Sequence, residues 1–292
     1  MRIINPIPLR IHCWGGFGSQ LHALFLATET YRIFNRRTIL IFHNSGITKR
    51  ELEIVPLLGN YDFKVVKDYN ETQNNSRQDI SSFLRNSVLK FLKKIALTMQ
   101  LVSNFDNATN VSDLKFFTLS LRGHYTNLRV EEELCGDLFE KLMNISEMEL
   151  GNKFKNLDNW IIHYRLGDLL HHDKDFISAK IITNFFKVNQ PSGLLTVLSD
   201  SPSVALKLLT EEFERQNLKI RINSEQLSSV STLVRCINGK NFLGTTSKIS
   251  IWAAVFRLIL RKGVKTAMPS NLKSNLSYLL DISNLSQIVF YG

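Results

Sequence analysis

The chain has 292 residues, 44% of them hydrophobic, and a formal net charge of +10. That length and apolar content exclude a disordered or fibrous chain and suit two α/β domains of ordinary size. Three widely spaced cysteines, Cys13, Cys135 and Cys236, exclude a disulfide framework or a Cys-x-x-Cys zinc site and fit a reducing compartment.

Met1 to Leu9 carries two prolines and no apolar core, so no signal peptide is read there. No run of about eighteen apolar residues spells a membrane span, and a cytoplasmic protein is expected. Residues 9–13 read as a short buried strand, followed by the Gly-rich turn Trp14-Gly15-Gly16-Phe17-Gly18-Ser19-Gln20. Leu24, Ala27, Tyr31 and Phe34 then recur at helical spacing, which predicts an amphipathic helix over 19–36. Residues 38–42 are almost continuously apolar, a second strand buried on both faces. Strand, glycine turn, helix and strand in that order form a βαβ unit with a parallel sheet. Residues 60–80 are polar and turn-rich, a surface excursion. The stretch 85–100 sets Arg85, Lys90, Lys93 and Lys94 among Leu89, Phe91, Leu92 and Ile95. It reads as a basic amphipathic helix packed on the sheet, or as a contact with an anionic membrane surface. The Asn-x-Ser/Thr triplets at Asn107, Asn110 and Asn144 carry no weight without a secretion signal.

An acidic helical stretch at 131–150 and a polar segment at 151–159 mark the domain boundary, giving domains of 1–152 and 153–292. The second begins with the strand Trp160–Arg165, followed by a strand at 194–198. Ser201 and Pro202 supply an N-cap and a first-turn proline to a helix with Val204, Ala205, Leu208 and Leu209 inward. Phe242-Leu243-Gly244 is a short strand, then Thr245-Thr246-Ser247 opens a helix through Trp252, Ala253 and Phe256.

Ligands of open parallel sheets bind beyond the carboxyl ends of the strands. Four polar clusters fall there: 15–20, 163–168, 199–200 and 245–250. The first fails as a dinucleotide fingerprint, because Leu21 stands at the third glycine and the second strand ends in His43-Asn44 without an acid. The second, His163-Tyr164-Arg165-Leu166-Gly167-Asp168, carries the most chemistry. An arginine fork at a strand end matches phosphate bidentately, Gly167 permits a tight turn, and Asp168 can accept from hydroxyl or amino donors or hold Arg165 and His163. A Thr/Ser turn opening a helix, Thr246 to Ser250, is an anion site on the same grounds. His171-His172-Asp173-Lys174-Asp175 contains a D-x-D triplet that could hold a metal, but Lys174 opposes a cation and Arg165 already supplies positive charge to a phosphate. No metal or other cofactor is expected. The basic balance attracts anions of any kind, yet no zinc-finger, RNA-motif or aromatic–basic pattern supports a nucleic-acid partner.

These motifs resemble those of the α-1,2-fucosyltransferases and, more loosely, of the α-1,6- and protein-O-fucosyltransferases, which share an H-x-R-x-G-D-like motif. Gly15 to Leu21 is similar to that family's G-G-L-G-N-Q-M. Ser45 and Glu51 to Leu57 resemble its next block, Leu198-Ser199-Asp200 its F-S-D, and Thr246 to Ala254 its N-S-T-F-S-W-W-G-A. Pro269 stands where the family has a proline after its last strand. The resemblance implies a GT-B fold, two Rossmann-like domains facing each other across a cleft, and inverting transfer from GDP-fucose to an acceptor glycan without a metal. It implies that Arg165 grips the β-phosphate while His163 and Asp168 hold ribose, guanine or the arginine. Gly15, Gly16, Gly18, Ser19, Gln20, Gly167, Ser199, Asp200, Thr246, Ser247 and Ser250 would complete the donor site. The C-terminal domain would bind mainly nucleotide and the N-terminal one mainly acceptor. Asp173 falls where the α-1,6 relatives carry a carboxylate and is the expected base, with His172 second and His22 third. Three departures stand out: Ser19 for asparagine, Gly244-Thr245-Thr246 for a small residue and asparagine, and Ile251 for a tryptophan.

Overall fold

The computed structural model describes residues 7–44, 51–66, 88, 91–92, 94–95, 98–99, 101–104, 109–115, 117–122, 126–128, 130–151, 160–167, 176–191 and 193–292. The chain divides into two compact α/β units, Met1–Arg129 and Val130–Gly292. The division precedes the acidic helix, whereas the sequence reading set it behind that helix. The reason is packing: the helix buries Cys135, Leu138, Leu142 and Leu150 and lies against a helix of the C-terminal unit.

In the N-terminal unit, β1 (Leu9–Trp14), α1 (Phe17–Phe34) and β2 (Thr38–His43) form the expected βαβ unit. They are followed by α2 (Val55–Leu58), β3 (Asp62–Val66), β4 (Val102–Asn104), β5 (Thr109–Asn110), β6 (Ser120–Arg122) and β7 (Thr126–Asn127). Five parallel strands pair in the order β3-β2-β1-β6-β4, and β5 pairs with β7 separately. In β1, Leu9, Ile11 and Cys13 are buried, while Arg10 is exposed and His12 and Trp14 are half-buried. Strand β3 falls within the stretch read as a surface excursion, and it is an exposed edge. Helix α1 is not amphipathic. Phe17, Gln20, Leu21, Ala23, Leu24, Phe25, Leu26 and Ala27 are all buried, so three turns are covered on every side, while Tyr31 is exposed.

The C-terminal unit opens with that acidic helix, α3 (Glu132–Leu150), then β8 (Trp160–His163), α4 (Ala179–Val188), β9 (Leu195–Leu198), α5 (Pro202–Arg215) and β10 (Ile222–Glu225). It continues with α6 (Ser229–Asn238), β11 (Asn241–Gly244), α7 (Lys248–Ile259), β12 (Lys265–Pro269), α8 (Lys273–Ser277), α9 (Ile282–Leu285) and β13 (Ile288–Tyr291). The six strands are all parallel, in the order β10-β9-β8-β11-β12-β13. The unit's first strand lies inside the sheet, the next two step to one side and the last three to the other. This is the order of the doubly wound nucleotide-binding sheet, and the direction reverses between β8 and β11.

Every residue of β8 and β9 is buried, as strands with helices on both faces require. Trp160, Ile162, Leu195 and Val197 meet Phe185 and Phe186 of α4 and Leu209 and Phe213 of α5 in one core. Helix α6 packs on α3 and α7. Ser201 and Pro202 occupy the expected N-cap and first-turn positions of α5, but the Ser201 side chain makes no cap bond. Ala205 and Leu209 point inward as predicted; Val204 is 43% exposed.

Candidate functional site

The chemistry-bearing residues of the C-terminal unit gather at the carboxyl ends of β8, β9 and β11, on the crevice where the winding reverses. His163 ends β8 and pairs with Gly244, which ends β11. Gly244 has no room for a side chain: a Cβ there would meet Ser250 Cβ at 2.8 Å. The first turn of α7 therefore lies against the strand end. This close approach brings Ser250 Oγ to 2.7 Å from His163 Nδ1. Both residues are buried, and burial, with the Arg165 charge beside it, pushes the His163 pKa down to about 4. The imidazole is neutral at pH 7.

Thr245 ties the two strand ends together. Its hydroxyl donates to the His163 carbonyl at 2.9 Å and accepts from the Arg165 N–H at 3.0 Å. Asp200, just past β9, holds the other side of the loop. One carboxylate oxygen accepts from Leu166 N–H at 3.0 Å and Gly167 N–H at 3.2 Å; the other lies 3.1 Å from Arg165 Nε. Gly167 is needed for this approach, since a Cβ there would overlap Asp200 Oδ2. The Arg165 side chain is 22% exposed, so a charged fork stands at the crevice with its backbone and its Nε both fixed. Past β11, Ser247 caps α7 by accepting from Ile249 N–H at 3.2 Å. Thr246 Oγ1 is buried without a hydrogen-bond partner.

Several residues expected to touch a ligand have other work. Ser250 is fully buried and faces His163, and His163 itself is only 4% exposed. Ser199 Oγ accepts from Ser201 N–H at 3.1 Å and closes the turn into α5. Asp200 braces the arginine loop. Asp168, His171, His172, Asp173, Lys174 and Asp175 lie outside the described residues. No group of three His, Cys, Asp or Glu placed to hold a metal occurs among the described residues. Thr245, absent from the expected ligand set, is the missed positioning residue; its place directly after a strand was the available signal.

In the N-terminal unit the glycine turn sits between β1 and α1. Gly15 adopts φ +102°, a backbone state disfavoured for L-residues, and a Cβ there would lie 3.0 Å from Ser19 Oγ. Gly16 is the N-cap of α1, and Gly18 is buried in the first turn beside half-buried Ser19. The Gln20 side chain bonds within the chain. Its amide donates to Gly15 O at 3.2 Å and Glu51 O at 2.8 Å, and accepts from Glu53 N–H at 3.0 Å and Ile54 N–H at 3.2 Å. All four bonding positions are filled, so Gln20 pins the turn to the 51–54 segment. His22 follows in α1, half-buried. Sequence reading also missed an aromatic stack at the carboxyl ends of β1 and β2. Trp14 and His43 pair in register with ring centroids 4.2 Å apart, and His12 Nδ1 lies 2.8 Å from His43 Nε2.

No family model matches the chain, and no curated protein does. Among solved structures, POFUT1 in complex with GDP is similar over 91% of this chain and 99% of its own, at 11% identity and a TM-score of 0.45. A glycosyltransferase from Rickettsia africae ESF-5 is similar over 90% of this chain and 79% of its own, at 11% identity and a TM-score of 0.43. UDP-GlcNAc 2-epimerase from Neisseria meningitidis bound to UDP-GlcNAc is similar over 95% and 89%, at 9% identity and a TM-score of 0.38. These similarities assign no residue of this chain a role.

Proposed function

We propose that the chain is an inverting glycosyltransferase of the GT-B type that transfers fucose from GDP-fucose to a hydroxyl of an acceptor glycan. The observation that carries the reading is Arg165, fixed by Thr245 and Asp200 at the reversal point of a doubly wound parallel sheet. Such a crevice is where this architecture receives nucleotides, and a guanidinium fork there is complementary to a diphosphate. Thr246 Oγ1, buried and unpartnered, sits at the entry to α7 and offers a donor to the same anion. In this reading His163, Ser250 and Asp200 position the arginine loop and touch no phosphate.

The acceptor oxygen bonds to the anomeric carbon as the bond from that carbon to the diphosphate breaks. Its electron pair leaves on the β-phosphate oxygen, whose charge Arg165 stabilises in a preorganised site. The acceptor proton passes to a base, for which Asp173 is the first choice and His172 the second. The N-terminal unit takes mainly the acceptor and the C-terminal unit mainly the nucleotide. Ser19, standing beside the Gly15 turn where the resembling family has asparagine, favours a second reading with another nucleotide sugar.

Thermal shift with GDP, UDP and CMP and their sugars tests both readings. GDP-fucose is expected to stabilise most, and Arg165→Lys is expected to lose that shift along with transfer, because a point charge does not replace the fork. Near-normal turnover in Arg165→Lys would overturn the role. For the base, Asp173→Asn is expected to slow transfer by roughly two to four orders of magnitude with GDP affinity unchanged. A variant keeping more than about a tenth of the rate moves the assignment to His172.

A further inference from the structure

The described residues between 88 and 99 leave one face of a helix uncovered. Positions 88, 91, 92, 94, 95 and 98 are helical, with Met99 N–H donating to Ile95 O at 2.8 Å. Val88 is 56% exposed, Phe91 64%, Leu92 54%, Ile95 38% and Met99 57%. These five recur at spacings of three and four, which aligns them in a single stripe along the helix. Single exposed apolar side chains are ordinary; a continuous stripe of five large ones marks a surface that is covered by something. Packing on the sheet was one of the two expectations from sequence, and these five side chains are exposed instead.

The charge around it says what covers it. Residues 81–104 contain Arg85, Lys90, Lys93 and Lys94 and no acidic residue. Lys94 is exposed beside the stripe. A second copy of the chain would bring the same cations to the same contact, on a molecule that already carries +10, and would be repelled. A nucleic acid would meet the lysines but leave five apolar side chains in water. A bilayer with anionic headgroups satisfies both faces at once: the stripe enters the headgroup–acyl boundary while the lysine stems reach up to the phosphates. No described helix is long and apolar enough to cross a membrane, so this contact lies in the interface plane.

We infer that the stripe of Val88, Phe91, Leu92, Ile95 and Met99 docks the protein on an anionic lipid bilayer. The inference is independent of the nucleotide reading, because none of its residues belongs to the Arg165 site. The test is co-sedimentation of the full chain with vesicles of phosphatidylcholine alone and of phosphatidylcholine mixed with phosphatidylglycerol. Binding is expected to the mixed vesicles only, and to weaken with salt. Phe91→Ser with Leu92→Ser is expected to lower binding more than tenfold, with an unchanged melting curve because both side chains are exposed. Lys93→Gln and Lys94→Gln are each expected to cost roughly fivefold, the equivalent of about 1 kcal/mol per cation at the surface. Equal binding by wild type and the Phe91/Leu92 variant would overturn the docking role. So would wild-type chain that ignores both vesicle types but forms dimers in light scattering that the same variant abolishes.

Discussion

His163 ends its strand in a place that water does not reach, and its protonation state is settled before any ligand arrives. Desolvation comes first among the causes, the Arg165 cation adds to it, and the Asp200 carboxylate opposes both. The sign of the consequence follows from linkage. The folded-state pKa, about 4, lies below the ordinary imidazole value of 6.5, so between these values the unfolded chain binds more protons. Stability at neutral pH is therefore unaffected by this group and falls as pH drops from about 6.5 towards 4. The integrated loss is roughly 3 kcal/mol. His163→Gln is expected to remove most of that slope in urea titrations across the window, while a slope as steep as wild type would place its origin elsewhere. Gly167 makes a second prediction at this scale. Its φ is ordinary, and what matters is the oxygen of Asp200 pressed against it. Gly167→Ala is expected to displace that carboxylate, loosen Arg165 and weaken GDP binding by roughly tenfold, the loss of about one charge-assisted hydrogen bond. Unchanged affinity in calorimetry would show that the Asp200 brace is dispensable.

Helix α7 carries the least expected device at the scale of elements. Arg257, 1% exposed, donates to the carbonyls of Cys236, Ile237, Gly239, Lys240 and Lys265 and to the Thr266 hydroxyl. One side chain thus satisfies the last carbonyls of α6 and joins them to the Gly239–Lys240 turn ahead of β11 and to the first residues of β12. Burial lowers its pKa to about 10, and it remains a cation at neutral pH, well placed at the negative end of a helix dipole. Gly263, at φ +70°, leaves space that the guanidinium fills. In sequence this arginine is a lone charge inside an apolar helical run, and nothing in its spacing names partners that lie in α6, the turn after it and β12. The elements themselves were readable, because β8, β9 and the start of α5 are set by apolar runs and a proline that act locally. The uniform burial of α1 was not, since residues 111–113 pack on the helix and the 51–54 segment bonds its Gln20, both remote in the chain. Arg257→Met is expected to destabilise the C-terminal unit by roughly 3–5 kcal/mol, because several buried carbonyls lose their donors together. A loss below about 1 kcal/mol in chemical denaturation would mean that water replaces the guanidinium.

Across the whole molecule, the readable part was the list of strand ends and the unreadable part was what each polar side chain does there. The motif at 163–167 lies at the carboxyl end of a strand, and the strand order puts the reversal of winding there. Yet Ser250 and Gln20 look like ligand donors in one dimension and also bond within the chain, to partners 87 and up to 34 residues away that no local spacing names. Charge is the property that sequence and structure report alike. The chain carries +10, and its candidate phosphate site is cationic through Arg165 with its guanidinium held in place. In the proposed reaction the leaving diphosphate must be neutralised by something, either a divalent cation or the protein's own groups. Arg165 and the donors at the start of α7 are the protein's own groups, and a carboxylate cluster for a cation would compete with them for the same oxygens. Transfer is therefore expected to continue at an undiminished rate in excess EDTA, and GDP affinity is expected to be the same with and without magnesium. The measurement is product formation in chelator, followed by addition of manganese. Complete loss in EDTA with recovery on manganese would show that Arg165 does not supply the counter-charge, and would shift the assignment to the carboxylates of Asp173 and Asp175.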